Sequence, residues 1–262
     1  MTQYVWQRAS NGLTYDDNPR PECLALLERA PMRVLDIGCN VGSVGRELKR
    51  RYPDVHLVGC EFNAQAAEIA AKDYHLIIQE DVTKADLGSY GIDTPFDMVC
   101  LFDVLEHLYN PWELLQDLQD KVSDDAQVLV SLPNASNLLV LLDAVRGHWR
   151  YQNYGLLDFT HIRYFTDFDA RKMFYQTGFR VKQMQMSTFG MAAEIYHQLK
   201  TATFPTQVTV DKLSVQVESV DDLLRLCAVQ NLYHLTPHRG QVEEGERHWM
   251  SAEYPPTFAF GG

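Results

Sequence analysis

The stretch Val34-Leu35-Asp36-Ile37-Gly38-Cys39-Asn40-Val41-Gly42, continued by Ser43-Val44-Gly45-Arg46-Glu47-Leu48-Lys49, decides the fold. It reads as a buried strand, a glycine turn and a helix, the opening unit of a nucleotide-type binding half. Glycine has no Cβ, so the backbone at Gly38 and Gly42 can turn sharply and come close to a ligand. The spacing is D-x-G-x-x-x-G, where a dinucleotide fingerprint requires G-x-G-x-x-G after the strand. An acid at Asp36 would repel a pyrophosphate and suit an ammonium. The loop, with Asp36, Gly38, Cys39, Asn40 and Gly42 as its contacts, therefore points to an adenosine cofactor with a positively charged tail.

Further acids stand at later strand ends. Leu57-Val58-Gly59-Cys60-Glu61 places Glu61 25 residues after Asp36. His75-Leu76-Ile77-Ile78-Gln79 runs into Glu80-Asp81-Val82. Phe96-Asp97-Met98-Val99-Cys100-Leu101-Phe102 is followed by Asp103-Val104-Leu105-Glu106-His107-Leu108. Taken in order, these motifs resemble the class I methyltransferases that use S-adenosylmethionine (SAM), over about residues 10–186 and a strand near 230. The segment after Phe102 resembles the ubiquinone-biosynthesis O-methyltransferase-like branch. The resemblance implies SAM as cofactor, Glu61 and Phe62 at the ribose, Asp81 and Val82 at the adenine, and Phe102 and Asp103 beside them. Asn40 stands where that family usually has glycine; Asn tolerates a left-handed backbone better than most residues, so the loop is expected to survive.

The lead-in Tyr15-Asp16-Asp17-Asn18-Pro19-Arg20-Pro21-Glu22 is similar to that of methyltransferases associated with surface-polysaccharide biosynthesis. The similarity implies a segment folded over the cofactor, with Tyr15 toward the acceptor. Arg20 either pairs its planar fork with the methionine carboxylate or is an exposed arginine.

With 262 residues and a net charge of −12, the chain suits one α/β domain with extensions. Its longest basic run, Lys49-Arg50-Arg51, reads as a solvated helix end, so the footprint of a nucleic-acid partner is missing. Cysteines at 23, 39, 60, 100 and 227 include no C-x-x-C pair and read as core residues in a reducing compartment. No signal peptide is read, and the longest apolar stretch, 138–142, falls short of the ~20 residues of a membrane span. The expectation is a cytoplasmic protein with a small-molecule or glycan-type acceptor, no nucleic-acid or membrane partner, and a homodimer left open.

From 34 to 131 strands and helices alternate, as in a parallel sheet covered on both faces. The expected class is α/β: a Rossmann-like, seven-stranded, mostly parallel sheet with helices on both faces, an insert after strand five and a C-terminal extension. Residues 1–30 form the lead-in, with a helix over 22–29. The methyltransferase domain spans 31–236, with a lid or acceptor insert at 132–166 and a helical insert at 187–225 (helices over 190–200 and 220–225). Strand five is read at 127–131, strand six at 179–186 and a delayed seventh at 226–235; 237–262 is a tail.

Open parallel sheets bind ligands at their carboxyl edge, and a hydroxyl acceptor needs a base, for which histidine is suited. Leu156-Leu157-Asp158-Phe159-Thr160-His161-Ile162-Arg163-Tyr164-Phe165-Thr166 resembles a signature of the polysaccharide-linked enzymes. One reading makes His161 the general base, Asp158 its orienting partner and Arg163 an acceptor anchor; the other makes the cluster a structural polar network. His107 is the second candidate base. If Asp103-x-x-Glu106-His107 were helical, these three side chains would share a face that could take a divalent ion; ubiquinone-pathway relatives carry a similar metal-associated segment, but Asp103 is shorter than their glutamate. Asn134 at the end of strand five and Trp149 in Arg146-Gly147-His148-Trp149-Arg150-Tyr151 are acceptor-side candidates, Trp149 for stacking or simply for docking the insert. The function expected is SAM-dependent O-methylation of a small or sugar-like acceptor. The alternatives are N- or C-methylation and a non-catalytic SAM-binding module.

Overall fold

The computed structural model describes residues 17–85, 87–92, 95–239 and 244–250. After a short helix α1 (Pro21–Leu24) come β1 (Arg33–Ile37), α2 (Ser43–Arg51), β2 (His56–Cys60), α3 (Ala64–Ala70), β3 (Leu76–Ile78), β4 (Phe96–Phe102), α4 (Pro111–Gln119) and β5 (Val122–Pro133). Beyond β5 lie α5 (Leu138–Val145), α6 (Asp167–Gln176), β6 (Phe179–Thr188), α7 (Gly190–Leu199), β7 (Thr206–Val210), β8 (Leu213–Val217), α8 (Val220–Cys227), β9 (Ala228–Pro237) and α9 (Arg247–Met250).

Seven strands form one sheet in the order β3-β2-β1-β4-β5-β9-β6. The first five are parallel, and β9 runs antiparallel between β5 and β6. Side chains alternate across the strands. Leu35, Val58, Val99 and Val128 pack with Leu114 and Leu115 of α4 and Met173 and Phe174 of α6. Val34, Leu57, Met98 and Leu129 pack with Cys23 and Leu24 of α1, Val44 and Leu48 of α2 and Ala70 of α3. Burial on both faces is what a near-continuous apolar run such as Val34–Ile37 encodes. The chain order reverses between β1 and β4, where folds of this kind open a crevice.

Local signals account for the helix starts. Asn63 caps α3 by accepting from the Gln65 and Ala66 amides, and Thr166 with Asp169 forms a reciprocal capping box on α6. Gly178, at φ 86°, follows the end of α6 in the left-handed conformation that commonly ends a helix.

Several boundaries differ from expectation. The helix read over 22–29 stops at Leu24, because the Gln127 side-chain oxygen takes the amides of Glu28 (2.9 Å) and Arg29 (3.2 Å) and holds the chain in a turn. Strand five begins at Val122, ahead of 127, since Val122 pairs with Phe96 beyond a register shift. The last strand starts at Ala228 because Leu226 and Cys227 finish α8. The 187–225 insert contains the two expected helices and also the hairpin β7–β8. Val208 and Val217 of that hairpin join Leu138 of α5, Ala192 of α7 and Leu223 of α8 in a separate apolar cluster. Part of the tail docks on α6: the Trp249 ring lies 5.2 Å from Phe168, and the Tyr175 hydroxyl donates to Glu246. Among the described residues no helix is long and apolar enough to cross a membrane.

Candidate active site

A cleft of about 580 Å³ opens at the carboxyl edge of β1, β2 and β4, lined among others by Gly38, Asn40, Glu61, Asp81, Phe102 and His107. A smaller recess of about 110 Å³ adjoins it, lined by Asn18, Asp36 and Ser43 and sharing Arg20, Gly38, Asn40 and Phe102 with the cleft. Cys39 also faces the recess, while Phe62 and Val82 face the cleft.

The loop after β1 explains its sequence. Gly38, Asn40 and Gly42 all have left-handed backbones, at φ 70°, 51° and 83°. Asn40 manages this without glycine because its Oδ1 accepts the next amide, Val41 N–H, at 2.6 Å. A Cβ on Gly38 would come within 2.9 Å of Val104. The Asn40 amide donates to Glu61 Oε2 (3.1 Å), and Glu61 Oε1 accepts the Asn63 amide (2.8 Å). Glu61 thus ties the first loop to the second, and burial pushes its carboxyl above the usual range despite these bonds. Asp81 behaves oppositely: the Thr83 hydroxyl, 2.7 Å away, holds its carboxyl below the usual value.

One residue escaped sequence reasoning. Tyr74, in the turn after α3, is buried, and its hydroxyl donates to Asp36 Oδ2 while accepting the Gly45 amide at 3.0 Å. Burial raises the Asp36 carboxyl to about 7, the Tyr74 bond opposing and Glu61 reinforcing that rise. A Cβ on Gly45 would lie 2.3 Å from the Tyr74 ring, and one on Gly59 2.9 Å from it. Gly45→Ala is therefore expected to destabilise the fold by about 2–3 kcal/mol, the upper range for forcing a methyl into a packed core. The check is the urea midpoint; an unchanged midpoint would mean the ring has room to move.

Arg20 and Asp103 meet above the cleft. The Arg20 backbone is left-handed (φ 53°), as is that of Asp103 (φ 55°). Arg20 donates to Asp103 Oδ2 (2.7 Å) and to Ser131 Oγ (2.9 Å), and Asp103 also accepts from Ser131 (2.7 Å) and Gln230 (2.9 Å). Burial works against the Asp103 charge, but Arg20, Ser131 and Gln230 outweigh it and hold the carboxyl below its usual range. Arg20 borders both cavities with its fork engaged by Asp103, so the reading of an exposed arginine does not hold.

The histidines are also rearranged. Leu105–His107 forms a 3₁₀ turn, not an α-helix, and Asp103 turns away to Arg20, so the expected Asp103–Glu106–His107 set does not assemble. His161 joins instead: donor atoms of Glu106, His107 and His161 lie within 4.8 Å of one another. The Glu106 carbonyl accepts the amides of Ile162 and Arg163, both at 3.0 Å, which docks the 158–163 segment here. His107 Nδ1 bonds the Thr160 carbonyl (3.1 Å) and His161 Nδ1 the Leu156 carbonyl (3.2 Å). A carbonyl only accepts, so Nδ1 carries a proton in both rings, and in the neutral tautomer the lone pair falls on Nε2. Asp158 does not orient His161; its Oδ1 is taken by the Thr160 amide and hydroxyl. His161 is 8% exposed and lies behind His107, ring centroids 4.9 Å apart, whereas His107 and Thr160 line the cleft. Burial and the His107 ring lower the His161 pKa. Glu106 is buried with neither carboxyl oxygen hydrogen-bonded among the described residues; His161 Nε2 is 3.9 Å away, and burial raises its carboxyl well above the usual range.

A sequence profile for a family described as a methyltransferase domain matches residues 15–184, well over half of the chain. The chain belongs to this methyltransferase-domain family. Over 119 residues the methyltransferase is 29% identical to a trans-aconitate 2-methyltransferase of Pseudomonas paraeruginosa, covering 44% of this chain and 42% of that protein. Over 121 residues it is 28% identical to a ubiquinone biosynthesis O-methyltransferase of Maricaulis maris, covering 45% and 47%. The matched segment thus spans under half the length of either curated relative. The fold is similar to that of an O-methyltransferase from a trans-AT polyketide synthase multienzyme of Brevibacillus brevis, solved with S-adenosyl-L-homocysteine: TM-score 0.56, 14% identity, covering 88% of this chain and 75% of that one.

The methyltransferase's cavities fit an adenosine ligand with a charged tail. Gly38 lines both cavities without a side chain, Glu61 and Asp81 offer carboxylate acceptors along the cleft, and Asp36 offers an acid in the recess. Other expected site residues lie elsewhere. Asn134 is 2% exposed and donates to the Arg225 (2.8 Å) and Ala228 (2.9 Å) carbonyls, securing the start of β9 and leaving no face for an acceptor. Arg163 donates to the Tyr109 carbonyl and sits 5.6 Å over the Trp112 ring, away from the cleft lining. Trp149 packs edge-on against Tyr164 (5.3 Å) with part of its face exposed. Tyr15 lies outside the described residues.

Proposed function

We propose that this methyltransferase carries a methyl group from SAM to a hydroxyl of a small-molecule or sugar-like acceptor, with His107 as the general base. The observation that carries the reading is His107 on the cleft wall, its Nδ1–H committed to the Thr160 carbonyl so that Nε2 is left basic. Bound SAM would supply an electrophilic methyl on a sulfonium. The chain would hold the ribose through Glu61, the adenine through Asp81 and the ammonium through Asp36, and His107 would take the acceptor proton. Positioning supplies much of the rate in such displacements. The test is incubation with methyl-labelled SAM and a panel of nucleotide sugars, glycan fragments, phenols, amines and small acids, with product masses read out. Methylated amines alone would replace this reading with N-methylation; thermal stabilisation by S-adenosylhomocysteine without turnover on any acceptor would favour a SAM-binding module.

The bare Glu106 carboxyl favours a second reading, in which Glu106, His107 and His161 hold a divalent cation that acidifies the acceptor hydroxyl. Under the base reading, dialysis against EDTA leaves turnover within about twofold; a loss of about tenfold or more, restored by added metal, would replace it with the metal reading.

A further inference from the structure

We infer that Tyr74 is a positioning residue for the donor, holding Asp36 as the acceptor for the ammonium at the tail of the cofactor. This rests on the proposed SAM reading. Asp36 lines the recess and is 2% exposed, so its carboxylate has little water to orient it. A buried carboxylate is costly without hydrogen bonds, and the Tyr74 hydroxyl supplies one to Oδ2.

The hydroxyl cannot wander. The Gly45 amide donates to it from the first turn of α2. The ring occupies space left by missing side chains at three glycines, in α2, in the loop just before it and in β2: would-be Cβ atoms lie 3.3 Å from it at Gly42, 2.3 Å at Gly45 and 2.9 Å at Gly59. Gly45 is thus accounted for by this phenol, while Ala70 lies nearer to Gly42, and Ile77 and Cys39 nearer to Gly59. The chain Gly45 N–H to Tyr74 O–H to Asp36 fixes which carboxylate oxygen is spent internally, leaving the other lone pairs for the recess. Arg20, across the same recess, is paired with Asp103 and does not neutralise Asp36.

The test compares binding of S-adenosylhomocysteine with that of its analogue lacking the amino group, by calorimetry, on wild type, Tyr74→Phe, Asp36→Asn and the double variant. Tyr74→Phe should weaken S-adenosylhomocysteine about tenfold, the effect of losing one hydrogen bond to a charged group, and leave the deaminated analogue within about twofold. Asp36→Asn should show the same selectivity, and the double variant should lose little more than either single, the mark of one coupled unit. Equal losses on both ligands, or none on either, would overturn the inference and make Tyr74 a packing residue. Should Tyr74→Phe not fold, Tyr74→His, a ring without the phenol hydroxyl, takes its place: selective loss of S-adenosylhomocysteine supports the inference, and equal losses on both ligands overturn it. A wild type that binds neither ligand would instead overturn the SAM reading itself.

Discussion

Replacing His107 with Gln should lower kcat by about 10²–10⁴-fold, the usual contribution of a positioned general base, while the Kd for S-adenosylhomocysteine stays within about twofold. Gln is the informative choice because an amide can still donate toward the Thr160 carbonyl, which His107 now reaches at 3.1 Å, but it cannot take up a proton. An alanine would also remove the ring packed 4.9 Å from His161 and mix structural with chemical loss. The rate of the variant should keep rising with pH as the acceptor ionises unaided. His161→Gln, by contrast, is expected to act less on kcat, since that ring sits behind His107 and outside the cleft lining. A His107→Gln enzyme within tenfold of wild type would sink the base assignment.

Glu61→Ala should raise the Kd for S-adenosylhomocysteine about 100-fold. Two effects combine. A carboxylate accepting from ribose hydroxyls makes hydrogen bonds worth about 1.5–3 kcal/mol when charge is involved. The same carboxylate receives the amides of Asn40 and Asn63, at 3.1 and 2.8 Å, so its loss also frees the left-handed Asn40 turn that closes the cleft. Glu61→Gln separates the two: the amide oxygen can keep one loop bond but not both, and the ligand-facing charge is gone. Calorimetry with both variants gives the result, with methylthioadenosine, which keeps the ribose, as a control that should be weakened equally. Binding of either ligand within about threefold of wild type would remove Glu61 from the ribose site.

Much of this was legible locally. Val34–Ile37 reads as a strand buried on both faces because four apolar or strand-end residues in succession leave no solvated side, and Gly38 and Gly42 occupy the left-handed positions that glycine favours. The acids at strand ends are visible because each sits where an apolar run stops. The capping box at Thr166 and Asp169 lies within one helical turn and is just as local, yet went unread. The hairpin β7–β8 went unread although it alternates: exposed Gln207, Thr209, Ser214 and Gln216 are interleaved with inward residues such as Val208 and Val217, over strands of only five residues each.

The grouping of polar side chains at the candidate site was not legible. Asp158 stands three residues from His161, and Asp103 four from His107, so sequence proximity proposed both pairs. Packing broke them. Asp103 is drawn to Arg20, Ser131 and Gln230, from three distant segments, and Asp158 to the adjacent Thr160. Glu106 and His161, 55 positions apart in the chain, come within 3.9 Å because the Glu106 carbonyl anchors the amides of Ile162 and Arg163. Tyr74 met Asp36 in the same way, across α2, α3 and β2. Backbone conformation answers to neighbours a turn away, and so the cofactor loop, the sheet and its helices follow from short stretches of residues. Which buried polar group satisfies which depends on desolvation costs settled only when separate segments close on one another. The fold settled those costs, and with them it chose the partner of Asp36, the residue that shares Glu106, and the histidine that faces the cleft.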